Sequence, residues 1–231
     1  MQIRILPDPA SLANAAANEV ATWLGGESAR RTIGLAGGTT PLRAYELLRR
    51  ADVEWDGVDA WMTDERFVPI DDPASNTGMA GESLFDHVSA TLHSPITGED
   101  DPHAAAAAYE ATIQGLLGAD EDDRPVPDLV LLGLGADGHT ASLFPTTYAL
   151  DLDERDYVAN WVPAQASWRL TATAALLGRA RRMLFLVSGS DKAEAVADVL
   201  DRGIAHPATL VSSKARDVVW LLDREAAADL D

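Results

Sequence analysis

The stretch DLVLLGLGADGH, residues 128–139, is the strongest indication of the fold class of this chain and gives the first indication of its chemistry. Its first half is an almost unbroken apolar run, which is typical of a strand buried on both faces of a parallel sheet. Three glycines, Gly133, Gly135 and Gly138, then end the strand and present His139 just beyond it. A neutral imidazole in such a place can accept a proton from water near neutral pH, so His139 is a candidate general base. The alternative, an ordinary structural histidine, stays open at this point.

Short apolar strands alternate with helical patterns from this stretch outward to both ends of the chain. Strands are predicted over residues 2–6, 31–36, 58–62, 128–134, 183–187 and 218–222, and helices over 11–24, 41–50, part of 75–87, 103–117, from about 191 to 200, and briefly after the last strand. This alternation predicts an α/β fold with a doubly wound, mostly parallel sheet flanked by helices. No repeat or flexible linker divides residues 1–231, which predicts a single domain. Ligands of such sheets bind beyond the carboxyl ends of the strands.

The composition excludes several classes of protein. The chain has 231 residues, 47% of them hydrophobic, and no cysteine, so disulfides, thiolate metal sites and a cysteine nucleophile are excluded. No apolar stretch approaches the ~18 residues that a membrane helix needs, and Pro7 and Asp8 interrupt the N-terminus too early for a secretory signal. We therefore expect a cytoplasmic protein without a membrane partner.

The charge balance is strongly acidic, with 37 Asp and Glu against 18 Lys and Arg, for a net charge of -19. A surface of this sign repels phosphate backbones, which argues against nucleic acid as a general partner. Only Lys192 and Lys214 are lysines. Adaptation to high salt, where ions screen self-repulsion, is one explanation, and arginine codons in a GC-rich genome are the other. The acidic runs at residues 99–101 and 120–123 are interpreted as solvated loops rather than metal sites.

Two glycine turns after predicted strands have the features of anion-binding sites. Gly37-Gly38-Thr39-Thr40-Pro41 leads into a helix with Arg43 in its first turn, and Gly189-Ser190-Asp191 leads into another with Lys192. Free N–H groups at a helix N-terminus attract anions, whereas a cation there opposes the helix dipole. A bound phosphate would resolve that conflict at both turns. The alternative is a pair of capped helices with solvated side chains.

A run of charged residues, Thr63-Asp64-Glu65-Arg66, directly follows the strand predicted at residues 58–62. Arg66 could pair with a carboxylate or phosphate through its guanidinium fork, and Asp64 could hold sugar hydroxyls. A salt-bridged loop is the alternative. Asp137 is close enough to His139 in sequence to shape the turn or orient the imidazole ring.

The remaining histidines carry no such signal. His87, His93 and His103 are interpreted as surface residues of helices or loops, and His206, before Pro207, as part of a turn. The chain has no Gly-x-Ser-x-Gly elbow of serine hydrolases and no histidine pair at metal-ligand spacing. The sequence therefore indicates neither a serine nucleophile nor a bound metal.

Together these segments resemble the 6-phosphogluconolactonase family of the pentose phosphate pathway. The resemblance runs in order along nearly the whole chain. Its most specific motif is LGLGADGHTASLFP, residues 132–145, followed in specificity by TDERFVP, residues 63–69, with Ser75-Asn76 after it. The other matching segments are AGGTTP (residues 36–41), WRLT (168–171) and GSDKA (189–193). The family usually has proline just before Arg169, where this chain has Trp168.

The resemblance implies a Rossmann-like fold, shared with glucosamine-6-phosphate deaminases, and 6-phospho-D-glucono-1,5-lactone as substrate, with no cofactor. His139 would be the general base that activates water, with Asp64 and Arg66 positioning the sugar or stabilising developing charge. Phosphate and substrate contacts are implied for Gly37, Gly38, Thr39, Thr40, Arg43, Asp137, Gly138, Arg169 and Lys192. The expected partner is thus a small-molecule sugar phosphate lactone, bound by a monomer or a homodimer.

Two other functions compete with this one. A glucosamine-6-phosphate deaminase typically continues toward Asn-Glu-Pro after its Asp-Gly-His, whereas Thr140-Ala141-Ser142-Leu143-Phe144-Pro145 follow here. A sugar-phosphate sensor without catalysis usually has a helix-turn-helix for DNA, for which this chain has no spare segment and too acidic a composition. Both features favour the lactonase.

Overall fold

The computed structural model describes residues 1–26, 31–97 and 101–231. Its strands form a seven-stranded sheet, a three-stranded sheet and a two-stranded hairpin. The strands are β1 (Gln2–Leu6), β2 (Arg31–Leu35), β3 (Val58–Met62), β4 (Asp64–Arg66), β5 (Thr91–His93), β6 (Gly118–Ala119), β7 (Pro125–Val126), β8 (Leu129–Leu132), β9 (Tyr157–Val162), β10 (Ser167–Ala172), β11 (Arg182–Val187) and β12 (Val218–Asp223). The helices are α1 (Pro9–Leu24), α2 (Thr39–Leu48), α3 (Asn76–Ser83), α4 (Pro102–Leu116), α5 (Ala174–Gly178), α6 (Ala193–Leu200) and α7 (Pro207–Lys214).

The large sheet has the strand order β1-β12-β11-β8-β2-β3-β5, and every neighbouring pair in it is parallel. The direction of connection reverses between β8 and β2, because the chain leaves β2 toward β3 and β5 but leaves β8 toward β11 and β12. Ligand crevices of doubly wound sheets open at such a reversal, beyond the carboxyl ends of the strands. The predicted α/β fold is confirmed, and its expected ligand edge lies after Leu35 and Leu132.

Strand β8 is covered on both faces, as its apolar sequence predicts. Each of its four residues is at most 1% exposed. Val130 and Leu132 pack into one core cluster with α4 and α6, and Leu129 and Leu131 pack into the other with α1 and α2. Successive side chains of a strand point to opposite faces, so one short strand joins both halves of the core. Full burial stabilises the fold by roughly 1.5–3 kcal/mol for each Leu or Val side chain.

The antiparallel sheet β4-β10-β9 has no counterpart in the sequence prediction. Strand β4 consists of Asp64, Glu65 and Arg66, whose charges indicate a loop. It forms a strand because β10 pairs with it, placing Leu170 opposite Glu65 and Thr171 opposite Asp64. A partner so distant in the sequence leaves no local pattern to detect.

Three smaller expectations have different outcomes. The short helix expected after the last strand is wrong, because hydrogen-bonded turns follow Asp223, whose carboxylate accepts the Ala226 N–H at 2.8 Å. Of the two acidic runs, residues 120–123 lie in the solvated hairpin between β6 and β7, whereas residues 99 and 100 lie outside the described part of the chain. Within the described ranges, no helix combines the length and apolar character needed to cross a membrane.

Candidate active site

A cavity of about 290 Å³ opens beyond the carboxyl ends of β2 and β8, where the strand order reverses. Of the residues that the sequence assigns to the site, Gly37, Asp64, Arg66, His139 and Arg169 line it. Other residues complete its wall: Ala36, Asn76, Gly133, Leu134, Thr140, Ala141, Ser142, Phe144 and Gln165. The fold thus brings one histidine, one carboxylate and two arginines together from segments far apart in the chain.

His139 stands on a tight turn built from glycine. Gly135 donates its N–H to the His139 carbonyl at 2.8 Å, and Gly138 donates to the Gly135 carbonyl at 2.9 Å. A Cβ at Gly135 would lie 2.0 Å from His139 Nδ1, so any side chain there would displace the imidazole. The ring also stacks on Phe144, with 4.1 Å between the ring centroids. These contacts hold both the position and the plane of the imidazole.

Asp137 orients the imidazole of His139. Its Oδ1 lies 2.5 Å from His139 Nδ1 and accepts the backbone N–H of His139 at 3.2 Å. Burial works to raise the pKa of Asp137, but the hydrogen bonds and charge of His139 outweigh it, so this pKa lies below its usual range. The carboxylate therefore stays ionised at neutral pH and favours the tautomer with the proton on Nδ1. Nε2 is then the nitrogen that can accept a proton from water.

Asp64 is the buried carboxylate of the cavity, with 8% of its surface exposed. Its Oδ2 accepts the Ser142 hydroxyl at 2.6 Å, and Ser142 in turn donates its N–H to Thr171 Oγ1 at 3.2 Å. Ala141, just before this serine, has a φ of +47°. The left-handed conformation costs a residue with a side chain roughly 1–2 kcal/mol and is typical of functional sites. Backbone strain therefore coincides with the cavity wall.

Arg66 and Arg169 are the two cations of the cavity. Arg66 donates through Nη1 to the Ala74 carbonyl at 2.9 Å and to Asn76 Oδ1, and Arg169 donates to Gln165 Oε1. Burial first, and the charge of Arg66 second, lower the pKa of Arg169. Among the described residues, no carboxylate forms an ion pair with either guanidinium group. Two such groups in one cavity favour an anionic ligand.

Trp168 precedes Arg169 in β10, at the position where the sequence resemblance predicts a proline. Its ring packs edge-on against Trp161 of β9 at 5.5 Å and against His103 of α4 at 5.0 Å, measured between centroids. Successive residues of β10 point to opposite faces, so Arg169 points to the cavity. The departure from the usual proline therefore leaves Arg169 in the site.

Glu65 has a structural role that the sequence does not indicate. Its side chain is 1% exposed and caps helix α3 rather than lining the cavity. The carboxylate accepts the N–H groups of Asn76 and Thr77 at 2.7 Å each and the Ser75 hydroxyl at 3.1 Å. A negative charge is favoured at a helix N-terminus. Glu65 thereby fixes the start of α3 beside the cavity.

Asn76, at the start of α3, connects three of the predicted site residues. Its Nδ2 donates to the Asp64 carbonyl at 2.9 Å, and its Oδ1 accepts from Arg66. A Cβ at Gly37 would lie 1.8 Å from Asn76 Oδ1, so only glycine fits there. The sequence contained the signal, because Ser75-Asn76 follows the TDERFVP motif, but it did not indicate a contact with Arg66.

The two predicted anion-binding turns are adjacent in space, because Thr40 Oγ1 and Ser188 Oγ lie 2.9 Å apart. Helix α2 begins at Thr39, and no side chain in the described part of the chain caps it, which leaves the N–H groups of its first turn available to an anion. The second turn is more occupied. Gly189 donates its N–H to the buried Asp223 carboxylate at 3.1 Å, and Lys192 forms an ion pair with Asp191 at 3.0 Å.

Seven of the predicted contact residues lie outside the cavity lining: Gly38, Thr39, Thr40, Arg43, Asp137, Gly138 and Lys192. Five of them lie within three residues of Gly37 or His139 in the chain. Arg43 is exposed on α2, and Lys192 lies just before α6. In the part of the chain that the structure describes, no group of three His, Asp or Glu residues could hold a metal ion.

Comparison with known proteins gives consistent results. Residues 7–220 match the family model of glucosamine-6-phosphate isomerases/6-phosphogluconolactonase. A 6-phosphogluconolactonase of Synechocystis sp. is 37% identical over 210 residues, which cover 88% of this chain and 86% of the relative. The structure of 6-phosphogluconolactonase from Trypanosoma brucei superposes with a TM-score of 0.90 at 27% identity, covering 100% of this chain and 98% of that chain.

A structure with another activity is also similar. A monomeric glucosamine-6-phosphate deaminase superposes with a TM-score of 0.86 at 26% identity, covering 99% of this chain and 100% of that chain. The backbone alone therefore does not separate the two activities.

Proposed function

The chain belongs to the family of glucosamine-6-phosphate isomerases and 6-phosphogluconolactonases, and from this membership we propose that it hydrolyses 6-phospho-D-glucono-1,5-lactone to 6-phospho-D-gluconate. The resemblance inferred from the sequence motifs is confirmed by the family match. The reaction makes the protein a hydrolase of the oxidative pentose phosphate pathway. The observation that carries the proposed mechanism is the 2.5 Å contact between Asp137 and His139 at a cavity that also contains two arginines.

His139 activates the attacking water in this mechanism. Asp137 holds the proton of the imidazole on Nδ1, so Nε2 removes a proton from water as the oxygen attacks the C1 carbonyl. The imidazolium then passes this proton to the ring oxygen as the C1–O bond breaks, and the open-chain acid forms. General acid–base help of this kind supplies roughly 10²–10⁴-fold, which suits a substrate that is already a reactive ester.

Arginine stabilises the charge that develops on the carbonyl oxygen. Arg66 has this role, because contacts with the Ala74 carbonyl and Asn76 Oδ1 hold its guanidinium group in the cavity wall, and a preorganised donor facing an oxyanion lowers the barrier. Asp64, fixed by Ser142, accepts hydrogen bonds from the sugar hydroxyls. The phosphate is held by Arg169, by Lys192 and Arg43, and by the N–H groups of residues 38–40.

The lactonase is favoured over the deaminase by the side chains rather than by the backbone. The 6-phosphogluconolactonase of Synechocystis sp. is 37% identical to this chain, and those of Nostoc sp. and Haemophilus influenzae are 33% and 32% identical. The chain also continues from His139 into Thr140-Ala141-Ser142 rather than toward Asn-Glu-Pro. A sensor without catalysis is disfavoured, because binding alone does not need a histidine held in one tautomer. We further propose that residues 1–231 act as one domain, in the cytoplasm, as a monomer or a homodimer.

A turnover assay tests this function. Freshly prepared 6-phospho-D-glucono-1,5-lactone is hydrolysed with and without the protein, the acid released is titrated, and spontaneous hydrolysis is subtracted. We expect His139→Ala to lower kcat by about 10²–10⁴-fold while the protein stays folded. His87→Ala is the matched control, because His87 is exposed and lies outside the cavity.

The other outcomes assign other functions. A folded wild-type protein that does not accelerate lactone hydrolysis would contradict the proposal. Ammonia release from glucosamine 6-phosphate would then assign the deaminase. Binding of 6-phospho-D-gluconate without turnover of either substrate would assign the sensor.

A further inference from the structure

A second histidine, His206, packs against the turn that contains His139. His206 is the N-cap residue of α7, and its ring lies against Gly138, where a Cβ would be 2.3 Å from both Cγ and Nδ1 of His206. Gly138 has a φ of +78°, a conformation that glycine adopts without steric cost. The sequence indicates only a turn at His206, before Pro207, and gives no sign that this turn meets the loop of the general base.

His206 is itself held in place from behind. Its Nε2 lies 3.1 Å from Asp198 Oδ2 on α6, and Arg202 donates to the other oxygen of Asp198 at 2.7 Å. The segment after it is tied to the same turn, because Ala208 donates its N–H to the Gly138 carbonyl at 3.1 Å. That N–H belongs to the first turn of α7 and has no partner within its own helix. The first turn of α7 is thus hydrogen-bonded to the turn that contains the proposed general base, His139.

We propose that His206 is a positioning residue of the reaction, holding Gly138 so that the turn keeps the carboxylate of Asp137 against His139 Nδ1. This inference rests on the proposed function. Gly138 is the residue between Asp137 and His139, so its φ and ψ set the direction of both neighbours. Glycine has more conformational freedom than any other residue. The ring of His206 occupies the space next to Gly138 and so restricts the movement of this glycine.

The effect of His206 reaches the substrate only through this turn. His206 is not among the residues that line the cavity, and its ring is held between Gly138 and Asp198, so we infer that it acts on the reaction through the turn. The groups proposed to hold the phosphate lie on other loops. Loss of the ring should therefore lower kcat and leave KM almost unchanged. Misplacing a catalytic group by about 1 Å can cost up to about 10²-fold, so we expect kcat to fall by about 10- to 100-fold in His206→Ala.

Two further variants make the test specific. His206→Phe restores a ring against Gly138 without the hydrogen bond to Asp198, and we expect it to recover most of kcat. His93→Ala is the matched control, because His93 Nε2 forms the same type of contact with Asp59 at 2.8 Å, at the far edge of the large sheet. The two histidines are also similarly buried, at 27% and 21% side-chain exposure. We expect the control to keep the kcat and KM of the wild type.

The experiment is steady-state kinetics of the three variants, with circular dichroism to establish folding. A kcat of folded His206→Ala within about two-fold of an active wild type would overturn the inference. An equal loss in His93→Ala, or a folded His206→Phe as impaired as His206→Ala, would overturn it too. If His206→Ala does not fold, the kcat of folded His206→Phe is compared with that of the wild type. A preserved kcat agrees with the inference, and a loss of kcat overturns it.

A readout independent of activity separates this inference from the proposed function. If the wild type does not hydrolyse the lactone, NMR of the ring nitrogens of His139 replaces kinetics. We expect one tautomer, with the proton on Nδ1, in the wild type and a mixture in His206→Ala. An unchanged single tautomer in the variant would overturn the inference, whereas absence of turnover alone contradicts only the proposed function.

Discussion

Arg66 and Arg169 occupy directly opposed positions in the antiparallel pairing of β4 with β10, in the wall of the cavity that contains His139. Like charges opposite each other on paired strands destabilise the pair. Burial, and then the charge of Arg66, lower the pKa of Arg169, and its Nε is buried without a hydrogen-bond partner among the described residues. A negatively charged group of the substrate beside each guanidinium group would offset this repulsion.

Arg169→Met would therefore remove the proposed phosphate contact and a repulsion at the same time. Hydrogen bonds to charged groups contribute roughly 1.5–3 kcal/mol, so we expect KM for the lactone to rise by about 10- to 100-fold. The melting temperature of the ligand-free protein should not fall, and inorganic phosphate should raise it less in the variant than in the wild type. Steady-state kinetics and thermal melts with and without phosphate measure these effects.

The control for this prediction is Arg124→Met. Arg124 is exposed in the hairpin between β6 and β7 and pairs with Asp120, far from the cavity lining. We expect its KM to equal that of the wild type. A lower melting temperature of Arg169→Met with an unchanged KM would show that Arg169 supports the small sheet rather than the substrate.

Asp137→Asn tests the orientation of the general base. Asparagine suits the turn, but its neutral amide does not favour the Nδ1 proton of His139 as a carboxylate does. We expect kcat to fall by more than about 10-fold, with an upper bound near the ~10⁴-fold that the equivalent change costs in serine proteases. Asp122→Asn, in an exposed hairpin, is the control. Equal kcat for both variants would show that Asp137 only shapes the turn.

Stability should depend on pH through the same carboxylate. The pKa of Asp137 is lower in the folded protein than its usual 3.8, so the unfolded state takes up this proton more readily. The ionised Asp137 carboxylate therefore stabilises the folded protein above its usual pKa. This stabilisation is lost as the pH falls through the lower pKa that Asp137 has in the folded state. We expect the urea midpoint of the wild type to exceed that of Asp137→Asn above about pH 5, and the difference to shrink at lower pH. A difference that persists in strong acid would contradict this assignment.

Glu65→Gln should destabilise the fold and disturb the site. The N–H groups of Asn76 and Thr77 each donate to one oxygen of the Glu65 carboxylate at 2.7 Å. A glutamine amide has only one oxygen, so its NH₂ group would face one of these donors. Leaving buried polar groups of this kind unsatisfied costs about 1–3 kcal/mol of unfolding free energy, measured by urea denaturation. Glu82→Gln is the control, because Glu82 is exposed on the same helix. Equal stability of the two variants would refute the capping role.

The ligand edge could be predicted from the sequence because parallel strands end together. Residues 58–62 form β3 as expected, and the apolar run of residues 128–134 contains β8. Asp64, Arg66 and His139 follow such strand ends, so the alternation of strands and helices is enough to bring them to one side of the sheet. The cavity lining contains all three.

The sequence could not show the supporting contacts, because these depend on segments meeting in three dimensions. Glu65 looks like a third charged residue of an exposed loop, yet it caps a helix that begins eleven residues later. His206 looks like a turn residue, and only the packed structure places its ring against Gly138. A local pattern records neither the direction of a side chain nor its distant partner.

Gly37→Ala should damage the site through Asn76. The added Cβ would lie 1.8 Å from Asn76 Oδ1, so the amide must move and release its contact with Arg66. We expect kcat/KM to fall by about 10²-fold, because displacement of a positioned group by about 1 Å has this effect. Gly115→Ala on α4 is the control, since a Cβ there meets nothing and alanine favours a helix by about 1 kcal/mol. Equal activity of the two variants would mean that Asn76 is dispensable.

Salt should stabilise the protein, because the net charge of -19 repels itself in the compact state. The Debye length shortens from about 10 Å at 0.1 M salt to about 3 Å at 1 M, so we expect the melting temperature to rise over this range of KCl. Potassium chloride is preferred to sulfate, which strengthens apolar burial regardless of charge. A triple variant in the exposed hairpin, Glu121→Gln, Asp122→Asn and Asp123→Asn, has three fewer negative charges and should gain less from the same salt. A melting temperature that stays constant or falls with KCl would contradict adaptation to high salt and leave codon composition as the explanation of the scarce lysines.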